Sequence, residues 1–121
     1  MNMEDKLELI NREALRLGRE VADETGTLLA GNICNTNIYH PDSPERNEQI
    51  TAMFKEAIEW SLDYNVDYII GETYTYLGEA MLALQAIKKY GKGVPAVMML
   101  ASYPITTKKR TSHHVRRCAA D

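Results

Sequence analysis

Apolar residues recur at helical spacing in the first part of the chain, and a short apolar run follows them. Between residues 5 and 24 the apolar positions fall three or four apart, which predicts one face of an α-helix: Leu7, Ile10, Ala14, Leu17 and Val21. Gly26 is expected to end this helix, because glycine readily takes the left-handed conformation at a helix C-terminus. Residues 27–33 are almost continuously apolar, as is typical of a strand covered on both faces.

The same order, a helical pattern followed by an apolar run, begins again at Ser43 and Pro44. Serine is a favourable N-cap, and proline at the first helical position loses no hydrogen bond, so a second helix is predicted from there to about Tyr64. Its inward face is predicted to be Ile50, Met53, Phe54, Ala57, Ile58 and Leu62. A second buried strand is predicted at residues 66–71.

A third helix and a third strand complete the pattern after a connection at residues 72–76. The helix is predicted from Leu77 to Tyr90, ending at Gly91, with Leu77, Met81, Leu84 and Ile87 buried. Residues 94–100 form the next apolar run, with Pro95 near its start, where one hydrogen-bond donor can be spared. The order α-β-α-β-α-β predicts a parallel α/β sheet with right-handed crossovers.

Ligands of parallel α/β proteins gather beyond the carboxyl ends of the strands. The segments expected there are residues 32–37, 72–76 and 101–103. Glu72 directly follows a buried strand, so it can bind a substrate ammonium group or act as a general base. It can equally cap the next helix or pair with a lysine, and the sequence leaves both interpretations open. Gly71 permits a close approach to the strand.

Composition fits one intracellular globular domain. The chain has 121 residues, 45% of them hydrophobic and 26% charged, with no apolar run of membrane-spanning length and no signal-peptide pattern. Cys34 and Cys118 form neither a CxxC pair nor a disulfide framework, so a reducing compartment, the cytoplasm, is expected. No membrane partner is expected.

Charge divides the chain into two parts. Residues 1–105 hold nine Lys and Arg against sixteen Asp and Glu, whereas residues 106–121 hold five against one. Such an acidic body argues against nucleic-acid binding, which needs clustered positive charge. We therefore predict a folded segment at 1–105 and an irregular basic tail at 106–121.

Three other features have an ordinary structural interpretation beside a chemical one. The side chains of Asn32, Asn35, Thr36 and Asn37 can bind a polar ligand, but such clusters more often form turns. Cys34 is expected to be a small core residue rather than a nucleophile or metal ligand. His113 and His114 are expected to belong to a solvated tail. Dinucleotide, P-loop, zincin and hydrolase-elbow motifs do not occur.

Several segments together resemble the homocysteine S-methyltransferase family. They are EDKL at 4–7, REVADETGTLLAGNICNT at 19–36, DYIIGET at 67–73 and LGEA at 77–80, and the likeness runs from about residue 4 to about residue 103. The resemblance implies a (β/α)8 TIM barrel, in which a methyl group moves from an onium donor, betaine-like or S-methylmethionine-like, to the thiol of homocysteine, giving methionine. It also implies that three cysteines hold a zinc ion, which activates that thiol.

The resemblance also assigns roles to single residues. Glu72 matches the glutamate that holds the homocysteine amino group, while Gly31 and Thr36 match the segment beside that pocket. Thr73 and Tyr74 fall on the methyl-donor side, although Thr73 stands where an aromatic residue often follows the glutamate. Neither Cys34 nor Cys118 matches a zinc ligand, so no metal is expected on this chain alone.

Three strands are a slice of a barrel that needs eight. The first hypothesis is therefore an enzyme fragment that keeps part of the homocysteine pocket and is inactive alone. The alternative is a small α/β binding or interaction module without catalysis. For a segment cut from a barrel, the exposed sheet edges predict self-association of the isolated chain.

Overall fold

The computed structural model describes residues 6–101, which form six elements in the predicted order. They are α1 (Leu7–Thr25), β1 (Ala30–Cys34), α2 (Pro44–Asp63), β2 (Tyr68–Tyr74), α3 (Leu77–Tyr90) and β3 (Ala96–Leu100). The three strands are parallel and lie in the order β1-β2-β3. This confirms the α/β prediction and fits a segment of a (β/α)8 barrel. The predicted tail at 106–121, with His113, His114 and Cys118, lies outside the described residues.

The predicted helix ends are confirmed. Gly26 ends α1 in the left-handed conformation, with φ 68°. Ser43 is extended at the N-cap of α2 and Pro44 is the first helical residue, although the Ser43 side chain forms no capping hydrogen bond. Gly91 follows α3 with φ −77°, and its N–H donates to the carbonyl of Ile87.

Strand β2 begins two residues later and ends three residues later than the predicted range 66–71, so residues 72–74 belong to the strand and not to the predicted connection. Glu72 pairs in register with Cys34 of β1, and after an irregularity Tyr74 pairs with Leu100 of β3. The N–H of Ala101 also donates to the Tyr74 carbonyl at 2.8 Å. Because both neighbouring strands supply partners, β2 continues through Tyr74, with Thr73 at the irregularity in a left-handed conformation, φ 62°.

The core lies between the sheet and helices α2 and α3. Its buried side chains include Ile33, Ile50, Phe54, Ile58, Ile69, Tyr74 and Ile87. The inward face predicted for α2 is confirmed at Ile50, Phe54 and Ile58, whereas Met53 is exposed. A Cβ on Gly31 would lie 2.6 Å from Ser61 Oγ, so glycine lets α2 approach β1 closely.

The face predicted for α3 is confirmed at Ile87, while Leu84 is half-buried and the prediction is wrong at Leu77 and Met81. Leu77 and Met81 are exposed, and the buried residues are Glu79, Ala80, Ala83, Ala86 and Ile87. Three small alanines, Ala80, Ala83 and Ala86, thus make up most of the face that α3 packs against its neighbours.

The apolar stripe of α1 exists, but no element within residues 6–101 covers it. Leu7, Ile10, Leu17 and Val21 are each 49–57% exposed, and Ala22 is the buried residue of the helix. Helix α1 reaches α2 through an ion pair of 2.8 Å between Arg12 and Asp63. In the same range, no helix has both the length and the apolar character that crossing a bilayer requires.

Helices cover one face of the sheet, and the other face is exposed. Ile33 and Ile69 point toward the helices, while Asn32, Cys34, Val97 and Met99 are exposed on the other face. We call this second surface the open face of the sheet. In a closed barrel this face would point to the interior.

Candidate functional site

Glu72 and Asn32 meet on the open face, toward the carboxyl ends of β1 and β2. Asn32 Nδ2 donates a hydrogen bond to Glu72 Oε1 at 2.5 Å. Glu72 is partly exposed, and its register partner on β1 is the exposed Cys34. Glu72 belongs to the strand, and the acidic residue in the first turn of α3 is Glu79, so the helix-cap interpretation of Glu72 does not hold.

The loop after β1 is attached to the first turn of α3. Both the N–H and the hydroxyl of Thr36 donate to Glu79 Oε1, each at 2.7 Å. The ring of Tyr39 lies 5.4 Å from the ring of Tyr76. Glu79, which follows Glu72 by seven positions, therefore holds Thr36 near the end of β1.

The asparagine cluster divides into two roles. Asn35 Nδ2 donates to Asn37 Oδ1 at 2.8 Å, and Asn37 has a positive φ of 62°, so these two residues form the turn that the ordinary interpretation expected. Asn32 instead contacts the candidate carboxylate. The sequence placed Asn32 in the cluster but carried no signal for its pairing with Glu72.

The two donor-side candidates lie in different environments. Thr73 is exposed, whereas Tyr74 is fully buried with its ring edge-on to Phe54 at 6.1 Å. The Tyr74 hydroxyl is buried and has no hydrogen-bond partner among the described residues. Burial, and then the negative charge of Glu79, raises the pKa of Tyr74 above its ordinary value.

The structure thus gathers some predicted site residues and separates others. Asn32 and Glu72 share the open face, and Thr36 lies beyond the end of the same strand as Asn32. Gly31 lies against Ser61 on the helix-covered side of the sheet, and Tyr74 is buried there as well.

Cysteine, the zinc ligand that the family resemblance implies, occurs once among residues 6–101, at Cys34. Cys34 is exposed, which corrects the expectation of a core residue. Within residues 6–101 no three His, Cys, Asp or Glu side chains lie together as a metal site. The described residues therefore do not fit a three-cysteine zinc site.

Sequence comparisons place the chain among known proteins. The profile of a family described as homocysteine S-methyltransferase matches residues 1–120. The S-methylmethionine–homocysteine S-methyltransferase of Pongo abelii is 35% identical over 100 residues, 83% of this chain and 27% of that protein. Betaine–homocysteine S-methyltransferase 1 of Sus scrofa is 33% identical over 91 residues, 75% of this chain and 32% of that protein. The chain spans less than a third of the length of these relatives.

Proposed function

The chain belongs to the homocysteine S-methyltransferase family, and we propose that it forms the part of a methyltransferase barrel that holds the amino group of homocysteine. The observation that carries this proposal is the Glu72 carboxylate on the open face, oriented by the amide of Asn32. A carboxylate in this position offers charge-assisted hydrogen bonds to an ammonium group. Thr36, beyond the end of β1, completes the proposed homocysteine segment, and Gly31 supports it from the helix-covered side, where it lets α2 approach β1.

In the proposed reaction, the thiol of homocysteine loses its proton to solvent, and its sulfur forms a bond to the methyl carbon of an onium donor. The bond between that carbon and the donor heteroatom breaks, its electron pair stays on the heteroatom, and methionine is the product. The donor is betaine-like or S-methylmethionine-like, as in the names of the relatives. Thr73, which is exposed, would touch the donor, and the buried Tyr74 would support the strand end.

This chain would supply only part of that chemistry. Three strands give one wall of a barrel, and the zinc that the family resemblance implies would be held by cysteines on other strands. We therefore propose that the chain is inactive alone. Its acidic body and cysteine usage support a cytoplasmic location without a nucleic-acid partner.

One observation favours the alternative of a small α/β interaction module. Ile50, Ile58 and Ile69 are completely buried between the sheet and its helices, so this side of the sheet closes its own core. The two proposals differ in what the open face meets: the rest of a barrel, or a separate partner.

A graft tests the proposed function. Residues 4–103 replace the matching segment of betaine–homocysteine S-methyltransferase 1 of Sus scrofa, and we call the product the grafted enzyme. We expect it to methylate homocysteine, whereas the 121-residue chain alone should show no turnover. A folded grafted enzyme that neither binds nor methylates homocysteine would contradict the proposal and favour the interaction module.

We expect the isolated, tag-free chain to hold far less than one zinc ion per molecule. A catalytic zinc needs three converging protein ligands, and the chain has two cysteines, Cys34 and Cys118. Elemental analysis after dialysis measures the metal content, with the grafted enzyme as the positive control. One tightly held zinc per chain that is lost in Cys34→Ser would overturn both this expectation and the proposed alignment with the family.

A further inference from the structure

The first turn of α3 contains a buried carboxylate that the sequence did not single out. Glu79 is only 2% exposed. A buried carboxylate is costly unless hydrogen bonds compensate its lost hydration. Its Oε1 accepts both the N–H and the hydroxyl of Thr36, at 2.7 Å each, which supplies that compensation. The pairing joins residues 43 positions apart.

Further contacts attach the same loop to the same helix turn. The Tyr39 ring lies against the Tyr76 ring, and a Cβ on Gly78 would overlap the Tyr39 hydroxyl group. Gly78 is therefore needed for this close approach. Since α3 begins at Leu77, soon after Glu72, these contacts tie the ends of β1 and β2 together.

The partner of Thr36 determines what its hydroxyl can offer a ligand. A carboxylate accepts hydrogen bonds and donates none, so the Thr36 hydroxyl donates its hydrogen bond to Glu79. Toward a ligand, Thr36 Oγ1 is left as an acceptor. Glu72 is also an acceptor, and two acceptors at one end of the sheet suit the N–H groups of an ammonium ion.

From this geometry we infer that Glu79 is a positioning residue, which holds the loop after β1 so that Thr36 and Glu72 present acceptors to the ammonium group of homocysteine. The inference rests on the proposed function. It assigns Glu79 no contact with substrate, because its carboxylate is buried and bound to Thr36.

Hydrogen exchange of the full 121-residue chain, read by mass spectrometry, tests the attachment of the loop. We expect the Thr36 amide to be protected, and Glu79→Ala to speed exchange in the peptide 35–43 by about tenfold or more. Glu79→Gln keeps an acceptor for Thr36 and should stay close to the unmodified chain. Glu59→Ala, on the exposed face of α2, is the matched control. An unprotected Thr36 amide, or equal exchange in Glu79→Ala, would overturn the inference.

The grafted enzyme tests the consequence for substrate. Glu79→Ala should raise the KM for homocysteine about tenfold, the effect of losing one hydrogen bond to a charged group. The KM for the donor and kcat should stay within about threefold, and Glu79→Gln should restore most of the homocysteine affinity. If Glu79→Ala lowers kcat and both affinities alike, or leaves homocysteine unaffected, the positioning role is wrong. A grafted enzyme that never binds homocysteine refutes the proposed function, and the exchange experiment then reports separately on the loop.

Discussion

Glu72→Gln in the grafted enzyme is expected to weaken homocysteine binding by about 2–4 kcal/mol, the cost of leaving a buried charged group without its partner. Glutamine keeps the size of the side chain and an oxygen that can accept from Asn32 Nδ2, the bond that orients Glu72. The substitution therefore removes the negative charge and leaves the surrounding geometry in place. Calorimetric titration with homocysteine measures the loss, and donor affinity should change much less.

A substrate analogue isolates the contact with the amino group. 4-Mercaptobutanoate has the thiol and the carboxylate of homocysteine but no amino group, so it should bind the grafted enzyme and its Glu72→Gln variant equally. Glu59→Gln removes the same charge from the exposed face of α2, where Glu59 lies 3.7 Å from Lys55, and should change neither affinity. Equal homocysteine affinity before and after Glu72→Gln would leave Glu72 with a structural role only.

The order of elements follows from local patterns, and the structure reproduces it. Gly26 and Pro44 act over a few residues, through a left-handed C-cap and a proline at the first helical position, and such signals are legible in a sequence. Strand β2 ran past its predicted end because Tyr74 pairs with Leu100, a partner 26 positions away. Pairing over such a distance leaves no local signal.

The buried faces of the helices were harder to predict than the positions of the helices along the chain. The sequence pattern on α3 favoured Leu77 and Met81 because they are large and apolar, yet Ala80 and Ala83 are the buried residues. Alanine contributes little to a hydrophobic pattern, although its size decides how closely a helix can approach. The apolar residues of α1 lie along one face of the helix, as the sequence predicted, but no element among residues 6–101 covers that face.

The residues of the candidate site also divide into those that a local sequence pattern predicts and those that it does not. Glu72 could be proposed from sequence because it directly follows an apolar run, and runs of that kind end at the ligand edge of a parallel sheet. Glu79 could not, because a charged residue on a helix is normally solvated. Its burial depends on Thr36, in a loop 43 positions earlier. Burial of a charge is set by distant partners, which a single sequence does not show.

The isolated chain is expected to self-associate, or to form a loosely packed state with helices but incomplete tertiary packing. Strands β1 and β3 are the edges of the sheet, and parallel sheets are normally covered on both faces. On the open face, Val97 is 44% exposed and Met99 is 49% exposed. The strands carry little charge there to discourage pairing with another chain.

Light scattering and binding of a hydrophobic dye at tens of micromolar measure this association. Met99→Lys places a charge on the open face and should shift the chain toward monomer. Met53→Lys is the matched control, since Met53 is similarly exposed, at 44%, but lies on α2. If the unmodified chain is a monodisperse monomer with a sharp thermal transition, its three strands and three helices form a complete folded unit. That result would favour the interaction module over the barrel segment, because a wall of an open barrel leaves too much apolar surface uncovered to remain monomeric.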